Sequence, residues 1–154
     1  MARGTIFIGS DHGGFGLKGR LSRLLSRKGY RVIDKGAFTY DKDDDYPDFV
    51  EGVCDGVLKA KGKGILICKS GQGVNIVANK IPGIYASLCW DKRSANDARE
   101  HEDCNVLCIG GFLLKPKVAI DVVSTWLDAT PSRASRHIRR RKKIIAIERR
   151  RMMR

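Results

Sequence analysis

A cysteine at the start of a glycine-containing loop is the feature of this sequence best suited to chemistry. In the segment ILICKSGQGVNIVANK, residues 65–80, an apolar run ends at Cys68 and a Ser-Gly-x-Gly turn follows at once. Consecutive backbone N–H groups at a helix N-terminus form a cradle for an anion or a developing oxyanion. The loop therefore predicts an oxyanion site beside a thiol. The alternatives are a tight turn without a ligand and a cysteine that fills apolar space.

The spacing of the loop excludes two common phosphate-binding motifs. A P-loop needs four residues between its glycines and then Gly-Lys-Ser/Thr, and this loop does not follow that pattern. The GxGxxG spacing of a dinucleotide site is also missing after the first apolar run, TIFIGS. ATP and NAD are therefore not expected.

Two histidines lie in polar segments near Cys68 in the predicted fold. Asp11 and His12 stand in DHGG directly after TIFIGS, and His101 stands in AREHED at the end of a polar segment. If all of them share one sheet edge with Cys68, they form a cluster of titratable groups typical of an active site. A lone histidine is more often a surface or capping residue.

Most of the positive charge lies in the C-terminal segment, residues 133–154. Of the 30 basic and 17 acidic residues, 11 and one fall there, so the segment carries a net charge of +10 and the rest of the chain +3. Arg136 and Arg140 are one helical turn apart and face the same way. They could clamp a phosphate, but a solvated basic face is the default for arginines this dense, and a nucleic-acid-binding tail fits the same charge.

The five cysteines predict neither a disulfide framework nor a metal centre. Their number is odd and no CxxC pair occurs, which indicates a reduced, cytoplasmic setting. His101, Cys104 and Cys108 are close in sequence, but Cys108 lies in an apolar run and no second histidine accompanies them, so zinc is not expected. No apolar run approaches the roughly 20 residues that span a bilayer, and the first residues lack a secretory pattern.

Apolar runs alternate with helical periodicity along the chain. Five runs are interpreted as buried strands, residues 5–10, 31–36, 64–68, 85–90 and 106–111. Helices are predicted between them, for example from Val50, Val53 and Val57 on one face and from the polar segment 91–102. This order predicts an α/β fold in which one parallel sheet, covered on both faces, forms a single domain over residues 1–154. Ligands bind beyond the carboxyl ends of such strands.

Six stretches, taken in order from residue 5 to about residue 148, carry the motifs of one enzyme family. They are IGSDHGGFGLK, KGYRVIDKG, DYPDF, GILICKSGQGVNIVANKIPGI, SANDAREHEDCNVLCIGG and the tail pattern RHIRR…KI. Together they resemble the ribose-5-phosphate isomerase B family, which includes the galactose-6-phosphate isomerase subunits. The resemblance implies a cytoplasmic, cofactor-free aldose–ketose isomerase with a three-layer Rossmann-like fold.

The resemblance also implies chemical roles. Cys68 matches the family's base, which moves a proton between C2 and C1 of the open-chain sugar. The negative oxygen of the resulting enediolate would be held by the backbone amides of Lys69, Ser70, Gly71, Gln72 and Gly73. Asp11 and His101 match the residues linked to opening of the furanose ring, with His101 as acid or base. A related branch uses a glutamate just beyond the loop; that position is Val74 here, which favours the cysteine.

The family's C-terminal helix crosses to the active site of a partner subunit, in homodimers that sometimes pair into homotetramers. In this sequence the helix corresponds to residues 132–154. Arg136 and Arg140 match tail arginines and would bind the substrate phosphate across the interface, with help from His12. The implied partners are a phosphorylated sugar and further copies of the chain, with no membrane and no nucleic acid.

Three positions depart from the family pattern. Lys69 stands where glycine is usual, Glu102 replaces an asparagine that contacts substrate hydroxyls, and Phe112 replaces an arginine that helps to hold phosphate. Ribose 5-phosphate and ribulose 5-phosphate are the expected pair. The alternatives are allose 6-phosphate or galactose 6-phosphate as substrate, and a non-catalytic protein that binds nucleic acid through its tail.

Overall fold

The computed structural model describes residues 3–153, which form a parallel sheet with helices on both faces. The strands are β1 Thr5–Ser10, β2 Arg31–Asp34, β3 Lys63–Cys68, β4 Ala86–Leu88 and β5 Val106–Gly110. The helices are α1 Phe15–Arg27, α2 Val50–Ala60, α3 Gln72–Ala78, α4 Lys92–Glu100, α5 Pro116–Asp128 and α6 Ser135–Met152. The strand order is β2-β1-β3-β5-β4. Within the described range, no helix has the length and apolar character needed to cross a membrane.

The sheet is buried on both faces because side chains alternate along its central strands. Ile6 and Ile8 of β1 point to the side covered by α1, α4 and α5, where Trp126 is fully buried. Phe7, between them, points to the other side and packs with α2 and α3. Full burial of such a side chain contributes roughly 1.5–3 kcal/mol, so both faces stabilise the sheet. The predicted three-layer α/β fold is confirmed.

All five predicted strands are present, but two are shorter than their apolar runs. β2 ends at Asp34 rather than at residue 36, and β4, at the edge of the sheet, has three residues. The polar helix predicted over residues 91–102 is α4. Asp91 begins it by accepting a hydrogen bond from the Ser94 N–H at 2.7 Å, while Ser94 Oγ accepts one from the Asp91 N–H at 3.2 Å. This reciprocal cap fixes where the helix starts.

The C-terminal helix α6 is joined to the rest of the chain by side chains in both of its halves. The Arg141 guanidinium donates hydrogen bonds to the carbonyl oxygens of His101 and Ser132 at 3.1 and 3.0 Å. Further along, Glu148 accepts a hydrogen bond from the Tyr85 hydroxyl at 2.9 Å. Burial, and then Glu148, raise the pKa of Tyr85 to about 12. The start of α6 is thereby held next to the end of α4.

Candidate active site

The carboxyl ends of β1, β3 and β5 meet at one edge of the sheet and bring three loops together. Ser10 pairs with Ile67, and Cys68 pairs with Gly110, in the parallel ladders. Beyond the ladder, the Gly111 N–H donates a hydrogen bond to the Cys68 carbonyl oxygen at 2.8 Å. The predicted carboxylate of Asp11 directly follows β1, and the predicted thiol of Cys68 ends β3. The two residues therefore lie at the ends of neighbouring strands. This is the edge where α/β proteins bind ligands.

Glycines allow these loops to approach one another closely. A Cβ atom on Gly13 would lie 2.7 Å from the backbone nitrogen of Lys69, and one on Gly111 would collide with the Gly13 carbonyl oxygen. Gly71 has φ +78°, a left-handed value that other residue types adopt only with strain. The backbone around Cys68 is therefore fixed by contacts that a side chain at any of these glycines would disrupt.

Cys68 lies at the start of the loop but is largely shielded from solvent. It is 4% exposed and packs with the apolar residues on the α2 and α3 face of the sheet. The Gly71 N–H donates a hydrogen bond to Cys68 Sγ at 3.1 Å, and the Gln72 N–H donates one to Ser70 Oγ at 3.3 Å. Two of the five amides predicted to hold an oxyanion are thus engaged within the loop. A substrate oxygen must take over their hydrogen bonds or use the remaining amides.

Asp44 connects the acidic loop before α2 to the loop after β1. One of its carboxylate oxygens accepts a hydrogen bond from the His12 backbone N–H at 2.9 Å and lies 2.7 Å from His12 Nδ1. The hydrogen bond to Asp44 raises the pKa of His12, and the nearby charge of Asp11 also raises it. Asp11 itself accepts a hydrogen bond from the Gly13 N–H at 2.9 Å. Burial raises the pKa of Asp11, and this effect is larger than the lowering caused by that hydrogen bond.

The sequence analysis missed Asp44 and Tyr46. Four of the five residues 41–45 are aspartates, so composition gives no signal for the one that binds a histidine. The Tyr46 ring lies against the loop backbone, since a Cβ atom on Gly73 would lie 2.5 Å from its Cζ. The stretch DYPDF, part of the family resemblance, was the available signal for Tyr46.

Lys69 and Phe112 form an exposed pair at the same edge. The Phe112 N–H donates a hydrogen bond to the Lys69 carbonyl oxygen at 3.1 Å, and Lys69 Nζ lies 5.1 Å from the centroid of the Phe112 ring. The charge of Lys69 acts to lower the pKa of His12, but the hydrogen bond to Asp44 has a larger effect, so the pKa of His12 is still raised. The edge that holds the thiol therefore carries a cation close to His12.

His101 lies at the opposite edge of the sheet. It follows the last turn of α4, which crosses back over the sheet before β5 begins at Val106. The four steps from Val106 to Gly110, at about 3.3 Å each, separate the two edges by about 13 Å. The prediction that His101 shares an edge with Asp11 and Cys68 is therefore wrong within a single chain. A helix that connects parallel strands returns to the amino edge, and His101 is at its end.

His101 instead belongs to a group formed by the end of α4 and the start of α6. The ring centroids of His101 and His137 lie 4.3 Å apart, with 41° between the ring planes. Burial lowers the pKa of His137, and the charges of His101, Arg136 and Arg140 lower it further. Both arginines are exposed, as is Glu102, which directly follows His101.

The candidate site residues thus form two separate groups. The carboxyl-edge group contains Asp11, His12, Asp44, Cys68, Lys69, Ser70, Gly71, Gln72 and Gly73. The α4–α6 group contains His101, Glu102, Arg136, His137 and Arg140. The first presents a thiol, a carboxylate and backbone amides, whereas the second presents imidazoles and guanidinium groups.

Among residues 3–153, two trios of side chains have the spacing of metal ligands, with donor atoms within 4.8 Å of one another. They are Asp11, His12 and Asp44, and Asp97, Glu100 and His101. In the first trio, the hydrogen bond between His12 and Asp44 already explains the spacing. In the second, Glu100 accepts a hydrogen bond from the Asn96 side chain at 2.7 Å. Neither trio supplies the four ligands of a structural zinc site.

A parallel α/β sheet with a thiol, a carboxylate and an amide loop at its carboxyl edge has the architecture of an enzyme that moves protons on a small ligand. Comparison with known proteins then identifies the family. The model of the ribose/galactose isomerase family matches residues 6–144. The chain belongs to this family, as the sequence resemblance implied.

The similarity to individual relatives covers nearly the whole chain. A probable ribose-5-phosphate isomerase B from Mycoplasma genitalium is 42% identical over 146 residues, which cover 94% of this chain and 95% of the relative. The solved ribose-5-phosphate isomerase B from Clostridium thermocellum has a TM-score of 0.90 at 41% identity, covering 95% of this chain and 98% of the other. The Mycoplasma genitalium enzyme, solved with bound ribulose 5-phosphate, has a TM-score of 0.91 at 40% identity, with 97% and 99% covered.

Proposed function

We propose that the protein is an aldose–ketose isomerase that interconverts ribose 5-phosphate and ribulose 5-phosphate. The proposal rests on the placement of Cys68. Its Sγ accepts a hydrogen bond from the Gly71 N–H, and Cys68 ends β3, the strand next to β1, which leads to Asp11. This puts a base beside donors for a negative oxygen, as enolisation next to a carbonyl requires. The relative that binds ribulose 5-phosphate supports the choice of sugar.

The reaction begins with the furanose form of ribose 5-phosphate. Ring opening breaks the bond between C1 and the ring oxygen, removes the anomeric hydroxyl proton and protonates the ring oxygen; Asp11 and His101 carry these transfers. Cys68 then takes the C2 proton, and the loop amides hold the negative oxygen of the enediolate. A proton then passes from the C2 hydroxyl to the C1 oxygen, which places the negative charge on the C2 oxygen, and return of the carbon-bound proton to C1 gives the ketose. Protons and electron pairs are rearranged within the sugar, so the balance requires no redox partner.

The complete site takes one group from each of two copies of the chain. In one chain the carboxyl-edge group and the α4–α6 group lie at opposite edges of the sheet, so a single copy does not bring them together. The carboxyl edge and the loops and helix next to it also expose large apolar side chains, 37–69% accessible, that a second copy would cover: Tyr46, Ile76, Trp90, Phe112 and Leu113. A homodimer, alone or paired into a tetramer, is therefore part of the proposal.

Phosphate binding then combines cations from both copies. Arg136 and Arg140 lie one turn apart on the exposed side of α6, and each guanidinium offers paired N–H donors that fit phosphate oxygens. His12, whose cationic form Asp44 favours, assists from the other copy. Lys69 adds a charge at this edge beside Phe112.

The test is a ketose-formation assay over ribose 5-phosphate, allose 6-phosphate and galactose 6-phosphate. We expect the highest kcat/KM for ribose 5-phosphate. A higher value for either hexose phosphate would assign that sugar instead and would make Glu102 the first position to examine. No ketose from any of them would contradict the isomerase function. Strongly salt-dependent RNA binding in that case would favour the basic tail as a nucleic-acid site.

A further inference from the structure

The His101 ring rests on His137, the more deeply buried ring of the pair. Their centroids are 4.3 Å apart with 41° between the planes. His137 is 5% exposed, whereas His101 is half-buried. His137 thus forms a fixed surface behind the imidazole to which the proposed mechanism assigns proton transfer.

The backbone of His101 is held independently of its side chain. Its N–H donates a hydrogen bond to the Asp97 carbonyl oxygen at 2.9 Å, and its own carbonyl oxygen accepts one from Arg141 at 3.1 Å. The remaining freedom is rotation of the imidazole about its side-chain bonds. The contact with His137 restricts that rotation, and proton transfer to a sugar oxygen depends on it, because donor and acceptor must be aligned within hydrogen-bond reach.

The surroundings of His137 favour its neutral form by lowering its pKa. Burial lowers its pKa first, the charges of His101, Arg136 and Arg140 lower it further, and Glu100 opposes them. The first turn of α6 also disfavours a cation, because the positive end of the helix dipole is there. A neutral ring does not repel the imidazolium that His101 forms when it takes up a proton.

We infer that His137 is a positioning residue, whose ring holds the His101 imidazole in the orientation needed to open the furanose ring. The inference rests on the proposed isomerase function and deepens it. Ribulose 5-phosphate cannot close to a furanose, because its O5 carries the phosphate. Removal of a C1 proton from that ketose therefore needs Cys68 but not ring opening, so the two halves of the reaction are measured separately.

The experiment compares the wild-type chain with His137→Ala and His137→Phe in two assays. One follows conversion of ribose 5-phosphate, and the other follows exchange of a C1 hydrogen of ribulose 5-phosphate with solvent deuterium by NMR. For His137→Ala we expect kcat for conversion to fall about tenfold or more, with KM and deuterium exchange within about threefold of wild type. His137→Phe keeps a ring face and removes Nδ1, a buried atom without a hydrogen-bond partner among residues 3–153, so it should recover most of the lost kcat.

Ile145→Ala is the matched control for loosened packing of α6. Ile145 is half-buried on the same helix and lines a small cavity with Tyr85 and Arg141. Its truncation should change conversion and exchange by a common factor. The inference would be overturned if His137→Ala slowed both assays equally, if it converted ribose 5-phosphate normally, or if His137→Phe were as slow as His137→Ala. A wild-type chain that converted no ribose 5-phosphate would instead remove the proposed function, and the inference with it.

Discussion

The carboxyl-edge group and the α4–α6 group are held in place in different ways. The first is fixed by backbone: Gly13 and Gly111 leave no room for a side chain, and hydrogen bonds join the loops at Cys68. The second depends on side chains at helix ends, and its two arginines, Arg136 and Arg140, are exposed. One region places a buried thiol among close backbone contacts, whereas the other presents exposed guanidinium groups.

This difference assigns the two parts of the proposed chemistry to different surfaces. A base that removes a carbon-bound proton needs a fixed position, because misplacement by about 1 Å can cost about a hundredfold in rate. Exposed cations also act on a charged ligand before it binds, because the field of the protein surface attracts the approaching molecule. The proposed pairing of two copies would satisfy both demands, because the carboxyl edge of one chain would then receive the cationic helix of the other.

The largest expected effect is that of Cys68→Ala. Removal of the base should lower kcat for ribose 5-phosphate by about 10²–10⁴-fold, and deuterium exchange into ribulose 5-phosphate should fall in parallel. Cys54→Ala is the matched control, because Cys54 is also a buried thiol but lies on α2, where burial raises its pKa to about 12. Normal turnover by Cys68→Ala would show that the base is another residue.

Mixing of two impaired variants tests whether the groups come from different copies. Cys68→Ala damages the carboxyl-edge group, and a double variant with Arg136→Ala and Arg140→Ala damages the α4–α6 group. In a mixed dimer, one site carries both defects and the other carries neither. After subunit exchange, about half of the dimers are mixed, so about a quarter of wild-type activity should return.

The mixed sample needs a control in which complementation is excluded. Cys68→Ala mixed with a Cys68→Ala variant that also carries the two arginine changes should regain nothing, because every site then lacks the thiol. Activity that stayed at background in the first mixture, with mixed dimers present by native mass spectrometry, would mean that each site is built within one chain.

The sequence predicted the positions of Asp11 and Cys68 at the ends of their strands. Asp11 follows β1 and Cys68 ends β3, so locating the strand also locates the side chain. His101 was misplaced because α4 intervenes: its nine residues, at about 1.5 Å each, cover about 13 Å, the same length as β5. Asp44 was missed because its contact with His12 joins residues 32 positions apart, which no local pattern encodes.

Single replacement of Arg136 or Arg140 by alanine should weaken substrate binding. A charge-assisted hydrogen bond contributes about 1.5–3 kcal/mol, so KM for ribose 5-phosphate should rise about tenfold or more for each variant. Lys142→Ala is the matched control, because Lys142 is an exposed cation on the opposite side of α6 from Arg140. An equal effect of all three changes would indicate general loss of charge rather than phosphate contacts.

Lys69→Ala should have a smaller effect than the loss of either arginine. Lys69 Nζ lies over the exposed Phe112 ring and is a point charge in solvent, so its removal should raise KM by about threefold. The difference from wild type should shrink at high salt, because an exposed charge is screened. Lys69→Arg should restore the wild-type KM, and a fall in kcat at unchanged KM would assign Lys69 to the thiol instead.

Asp44→Asn should change the pH dependence of substrate binding by a few-fold. Because Asp44 raises the pKa of His12, the cationic form of His12 persists to higher pH than in a free histidine. Any stability from the pair is present below the ordinary pKa of histidine and is lost as pH rises through the raised value.

Asparagine keeps the acceptor oxygen for the His12 N–H but removes the charge, so the imidazole loses its proton at lower pH. KM measured from about pH 6 to about pH 8 should therefore begin to rise earlier in Asp44→Asn than in wild type, with the two equal at the acid end. Parallel curves over that range would show that the charge of His12 does not contribute to phosphate binding.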